Sequence, residues 1–166
     1  MTWDSRSRPA PRILSSVVLA LAFLTVAPPI HAADAPDLKA MMRKVAEAWQ
    51  TMDVAKVAPF YSKEADAVFF DATPLKYAGW GAYAAGWGDV IKDWAALSIT
   101  LNDDAWIRRR GDVAVTAVTG RVEVTEKAGS KMALDVRWTA FWEKKGKDWI
   151  ISHDHFSTPW VPPAGG

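Results

Sequence analysis

KMALDVRWTAFWEKKGKDWIISHDHFS, residues 131 to 157, reads as two long strands joined by a tight turn at KKGKD. Apolar and polar side chains alternate through both arms, and a glycine among charged residues marks the reversal, the pattern of a β-hairpin. In the first arm one face carries Val136, Trp138, Ala140 and Trp142, and the other Arg137, Thr139 and Phe141. In the second, plain alternation puts Trp149, Ile151, His153, His155 and Ser157 on one face and Ile150, Ser152, Asp154 and Phe156 on the other. Neither arm has a purely polar face. A sheet that is apolar on both sides has to be covered on both sides.

Working outward, GDVAVTAVTGRVEVTEK (111–127) alternates over a dozen residues, and ALSITLNDDAWIRR (96–109) breaks into a strand and an irregular edge. Upstream, Trp80, Tyr83, Ala84, Trp87, Ile91 and Trp94 recur at helical spacing and predict one continuous helix whose aromatic stripe packs on the sheet. ADAVFFDAT predicts a strand, and TPLKYAG a turn with a brief second strand. DVAKVAPFY predicts a short helix begun by Asp53. LKAMMRKVAEAWQTM predicts an amphipathic helix that buries Leu38, Met42, Val45 and Trp49, with Asp37 as its N-cap. Helices first and long antiparallel strands after them indicate an α+β domain with helices on one sheet face. The helices suffice for only one face, so the other is expected to meet a second subunit in a homodimer.

Residues 1–32 have the three-part pattern of an export signal. Arg6, Arg8 and Arg12 precede an apolar run from Ile13 to Ala27, and small residues lead to a cleavage point after Ala32. The fifteen-residue run is shorter than the roughly 20 residues that cross a bilayer, so a cleaved signal and a periplasmic or secreted product are expected. Residues 33–166 then form one domain. The whole chain carries +1, and without the three Arg and one Asp of the signal its charge is near −1. That balance argues against nucleic-acid binding, which needs a surplus of cations to displace counterions from phosphates. Cysteine is absent, so the core alone must stabilise the domain. Nine of the ten tryptophans follow the signal and supply the area.

Over Leu38 to Pro159 the chain resembles the nuclear transport factor 2-like superfamily, within it the SnoaL-like group and the association domain of calcium/calmodulin-dependent protein kinase. The likeness rests on Thr139, Trp142, Gly146, Trp149, His153, His155, Ser157 and Pro159 in the terminal hairpin, and on FFDATPLKYAGW before the third helix. It implies a cone: a strongly curved antiparallel sheet wrapped round three N-terminal helices, with one deep pocket. The superfamily holds isomerases, cyclases, dehydratases and non-catalytic modules, so the fold does not name a reaction. The association domain's basic pocket positions fall near Tyr83, Ala140 and Phe156, none of them basic here. The same alignment implies that Trp138, Trp142, Ser152 and Asp154 point inward, and that His153 and His155 point to the outer face.

The candidate site follows from that parity. Asp154, flanked by Trp138, Trp142 and Phe156, would lose hydration and exchange protons near neutrality; the structural alternative is an ion pair with Arg137 at the rim. Asp71 is a second acid or base, or bonds its own turn. Tyr61 and Tyr83 are donors for a substrate oxygen, or half-buried core. Trp80 belongs to the helical stripe, as pocket wall or as packing. Arg137 enters the pocket only if the register slips by one residue. His153 and His155 could ligate Zn²⁺ from one side of a strand, but a third ligand is not marked, so no metal and no cofactor is expected. Phosphate loops, nucleophile elbows and zincin motifs are missing. Two readings remain: a domain binding a small apolar molecule in an aromatic pocket, and a SnoaL-like isomerase, cyclase or dehydratase acting by proton transfer.

Overall fold

The computed structural model describes residues 37–71 and 74–160. The segment read as an export signal lies outside the described residues, as do Ala72 and Thr73 of the expected turn. Helix α1 spans Leu38–Gln50 and buries Leu38, Met42, Val45, Ala46 and Trp49 along one stripe. Asp37 caps it, its carboxylate accepting from the Ala40 N–H at 2.9 Å. The chain reverses through Met52, at φ 53°. Asp53 then caps the short α2, Val54–Val57, which runs into a 3-10 turn at Ala58–Phe60. Pro59 sits in the first turn of that segment, where its missing N–H costs nothing.

Strands β1 (Val68–Phe70) and β2 (Tyr77–Ala78) precede α3, Gly79–Ile91. The remaining strands are β3 (Trp94–Leu101), β4 (Trp106–Arg110), β5 (Val113–Glu126), β6 (Lys131–Lys145) and β7 (Asp148–Ser157). They form a curved, unclosed sheet in the order β2-β1-β7-β6-β5-β3, with β4 also on β5. At the β6–β7 turn Gly146 takes φ 65°, a conformation that a side chain would strain.

Three features depart from the sequence expectations. The sheet is mixed, because β1 lies parallel to β7, with Val68 opposite His153 and Phe70 opposite His155. Strand β1 takes the edge of β7 away from β6, which the chain reaches after α2 running in the same sense as β7. Helix α3 stops at Ile91, and Trp94 opens β3; the polar Lys92 and Asp93 make the break. Trp94 still meets Trp87 edge-on at 5.8 Å.

The third departure is a bulge in β7. Phe141 pairs with His153, yet the next residue, Trp142, pairs with Ile151, so Ser152 is extra. An extra residue resets the alternation of faces. Trp149 and Ile151, expected on the outer face with the histidines, are therefore buried in the core beside Trp142 and Phe69. Ser152 is half-buried rather than turned into the cavity. The principal core joins α1, α3, β5, β6 and β7, and a smaller cluster of Leu97, Val122, Val124 and Val136 extends it along the sheet.

Candidate functional site

Between α1, α3 and the concave face of the sheet lies a cavity of about 220 Å³. One part of its wall is aliphatic, from Leu97 and Ile99 of β3, Val122 and Val124 of β5, and Leu134 and Val136 of β6. The other is aromatic and acidic. Trp49 reaches it from α1, Tyr83 and Trp87 from α3, Trp138 from β6, and Tyr61 from the strand-like stretch after the 3-10 turn. Asp71, just past β1, and Asp154, on β7, supply its charge; among the described residues no Lys, Arg or His lines it.

The two carboxylates are held alike. Asp154 Oδ2 accepts from the Tyr61 hydroxyl at 2.8 Å and, over a long 3.4 Å, from Trp138 Nε1. Asp71 Oδ2 accepts from the Tyr83 hydroxyl at 3.0 Å and from Trp87 Nε1 at 2.9 Å. Trp49 Nε1 donates to the Tyr61 oxygen at 3.2 Å and so backs the first pair. Asp154 is 1% exposed, and its Oδ1 has no hydrogen-bond partner among the described residues. Burial pushes the Asp154 carboxyl up to about 7; the Tyr61 hydrogen bond opposes this, the Asp71 charge adds to it, and Trp138 opposes it again. Burial, then the charge of Asp154, raises Tyr61 and Tyr83 well above the ordinary phenol value.

The cavity thus brings together Asp154, Asp71, Tyr61, Tyr83, Trp138 and Phe156 from the residues singled out in the sequence. Trp142 does not line it; it is buried in the core, where its indole N–H donates to Thr116 Oγ1 at 2.9 Å. Trp80 is half-buried, packed on Tyr61 at 5.1 Å and covered by Lys63 Nζ 3.9 Å from its ring centre. Arg137 is exposed and donates to the Thr158 carbonyl at 2.9 Å, so the ion pair with Asp154 weighed above is not formed. His153 Nδ1 lies 2.7 Å from the Val68 carbonyl, and both His153 and His155 meet Phe70 edge-on. Neither lines the cavity. Among the described residues no three His, Cys, Asp or Glu side chains converge to hold a metal ion.

Trp49, Trp87 and Tyr77 also belong to the wall, and sequence periodicity marked the two tryptophans only as helix packing. The signal that distinguishes Trp87 is chemical: a half-buried indole N–H needs an acceptor, and Asp71 supplies one from outside the helix at 2.9 Å.

The model of the SnoaL-like domain matches residues 38–161. No curated protein gives a significant sequence match. Among solved structures, the chain is similar to a nuclear transport factor 2-like superfamily protein from Salmonella enterica serovar Typhimurium, at TM-score 0.69 and 17% identity, over 77% of this chain and 92% of that one. It is also similar to a candidate calcium/calmodulin-dependent protein kinase II association domain from Xanthomonas campestris, at TM-score 0.66 and 23% identity over 80% and 93% of the two chains. A third likeness is to a candidate dehydratase of the NTF2-like family from Streptomyces avermitilis, at TM-score 0.68 and 14% identity over 78% and 99%. At these identities the likeness is one of fold. With the family match over most of its length, the chain belongs to the SnoaL-like domain family, and it shares its fold with the NTF2-like proteins.

Proposed function

We propose that this domain binds a small, largely apolar molecule in its aromatic cavity and transfers a proton on it, with Asp154 as the exchanging group. The observation that carries the reading is Asp154 itself: a carboxyl sealed in an apolar wall, poised near 7, with one oxygen uncommitted. A general acid or base works best when its pKa lies near the working pH. Asp71 supports the arrangement by adding negative charge that keeps the Asp154 proton from leaving early. An apolar cavity of roughly 150 Å³ accommodates benzene. The volume here therefore suits a substituted ring.

The discriminating experiment incubates the protein in D₂O with small ring compounds bearing acidic C–H bonds and follows deuterium uptake by mass spectrometry. Exchange by the wild type, lost in Asp154→Asn while ring binding persists, supports proton transfer. Binding without exchange in either protein reduces the domain to a binding module.

Two further parts of the proposal concern context. The outer sheet face, with Val113, Val115, Phe141, Phe70 and the half-exposed Trp106, is apolar enough to pair with a second copy. The interface excludes Trp149 and Ile151, which the bulge turns inward. Residues 1–32 serve as a cleaved export signal in this proposal. Intact-mass measurement of the exported protein tests it, with a mature N-terminus expected at Ala33.

A further inference from the structure

The hydrogens that Tyr61, Tyr83, Trp49, Trp87 and Trp138 carry round the two carboxylates can be followed one by one. Indole nitrogens only donate, and a tyrosine hydroxyl carries one proton and accepts at its oxygen. Trp49 donates to the Tyr61 oxygen, so the Tyr61 proton is directed to Asp154 Oδ2. Trp138 donates to the same oxygen, and Tyr83 and Trp87 both spend their hydrogens on Asp71 Oδ2. Thr119 gives its hydroxyl proton to Asp104 at 2.7 Å. The donors arrayed round the two carboxylates are thus turned into the wall. What is left over is an acceptor on a residue of the cavity wall: Asp154 Oδ1, buried and without a hydrogen-bond partner among the described residues.

We propose that the cavity selects a ring compound that brings its own hydrogen-bond donor, a hydroxyl or an amine N–H, to Asp154 Oδ1. This rests on the reading of the cavity as a small-molecule site and names the polar group its ligand must carry. A ketone of the same shape would set its oxygen against a carboxylate oxygen and leave both unsatisfied, which costs more than the hydrogen bond gains. Selection reverses when the carboxyl is protonated. Two donors already converge on Oδ2, so the added proton sits on Oδ1, where it offers the cavity a donor.

The ionisable groups around Asp154 are Tyr61, Tyr83 of α3, Tyr77 of β2, Asp71 after β1, and Lys63 over the Trp80 ring. From α1 it meets apolar side chains and Trp49. His153 and His155, its neighbours in sequence, lie outside the cavity against Phe70.

The test is isothermal titration calorimetry of the full chain with 4-methylcyclohexanol and 4-methylcyclohexanone at pH 8.5 and pH 5.5. At the higher pH the alcohol is expected to bind about tenfold more tightly, the value of one charge-assisted hydrogen bond. At the lower pH the ketone is expected to recover by at least a similar factor relative to the alcohol. Asp154→Asn, whose amide nitrogen takes the place of Oδ1, should hold the low-pH ratio at both pH values, while His155→Asn should follow the wild type. A ketone that binds as well as the alcohol at pH 8.5, or a ratio that ignores pH in the wild type, overturns the inference and leaves the cavity reading standing. If neither compound binds at either pH, the cavity reading itself fails and takes the inference with it. Should Asp154→Asn not fold, the wild-type pH comparison decides alone.

Discussion

Replacing Asp154 by Asn should change how stability depends on pH, by an amount that follows from the site. The folded carboxyl titrates at about 7 against an ordinary value of 3.8. A raised acid binds its proton more tightly in the folded state, so between roughly pH 4 and pH 7 the unfolded chain ionises while the folded one does not. Unfolding therefore becomes easier as pH rises through that window, and below it the two states are protonated alike. At about 1.4 kcal/mol per pKa unit, the full penalty above pH 7 is on the order of 4 kcal/mol. Integrated between pH 5 and pH 8 alone, it is on the order of 2–3 kcal/mol.

An asparagine is nearly isosteric, can accept from Tyr61 and Trp138 through its oxygen, and does not titrate. The two proteins share every other ionisable group, so those contributions cancel in the difference. Urea unfolding of both at pH 5 and pH 8 should show the variant gaining on the order of 2–3 kcal/mol on the wild type as pH rises, whatever constant offset the substitution adds. A difference that stays constant within about 0.5 kcal/mol between the two pH values would refute the claim that Asp154 is desolvated and titrates near neutrality.

Trp142→Phe should cost about 1–3 kcal/mol in urea unfolding, because the fully buried Thr116 hydroxyl loses its indole donor; a loss below 0.5 kcal/mol would mean that Thr116 finds another partner. Gly120→Ala should cost at least about 1–3 kcal/mol, since a Cβ there would lie 2.7 Å from the Thr100 carbonyl oxygen and would push β3 from β5; an unchanged denaturation midpoint would contradict that close approach. Val115→Arg, set in the middle of the outer face beside Phe141, should convert the proposed dimer to a monomer in sedimentation velocity at micromolar concentration. A wild type that is already monomeric there removes the proposal.

The parts of this fold legible in the sequence are those where one periodicity runs unbroken. Helix α1 was readable because Leu38, Met42, Val45 and Trp49 share a stripe between a capping Asp37 and the break at Thr51. The arms of β5 and β6 were readable because their alternation continues through Val113–Glu126 and Lys131–Lys145. Trp94 misled because helical spacing continues across Lys92 and Asp93 although the helix does not. The parallel pairing of β1 leaves no mark on a three-residue strand. In the site, the acid and the tyrosines could be nominated singly, but Tyr61 and Asp154 stand 93 positions apart and only the folded chain joins them.

The most consequential feature missed is the bulge, and its effect can be followed residue by residue. WIISHDHF is apolar at both Ile150 and Ile151, so it alternates acceptably in either register, and one surplus residue changes no composition. In a regular strand that buries Trp149 and Ile151, the inward positions that follow are His153 and His155, and Asp154 faces out. The structure buries Trp149 and Ile151 and also Asp154, which plain alternation forbids. Ser152 makes the three compatible by standing opposite nothing on β6. The histidine pair that draws the eye in the sequence is thereby placed outside, and β7 gives the cavity one carboxyl, whose proton is held by burial, to stand beside Asp71. The chemistry open to this pocket is accordingly that of a desolvated acid among spent donors, and it depends on a serine that does not line the pocket.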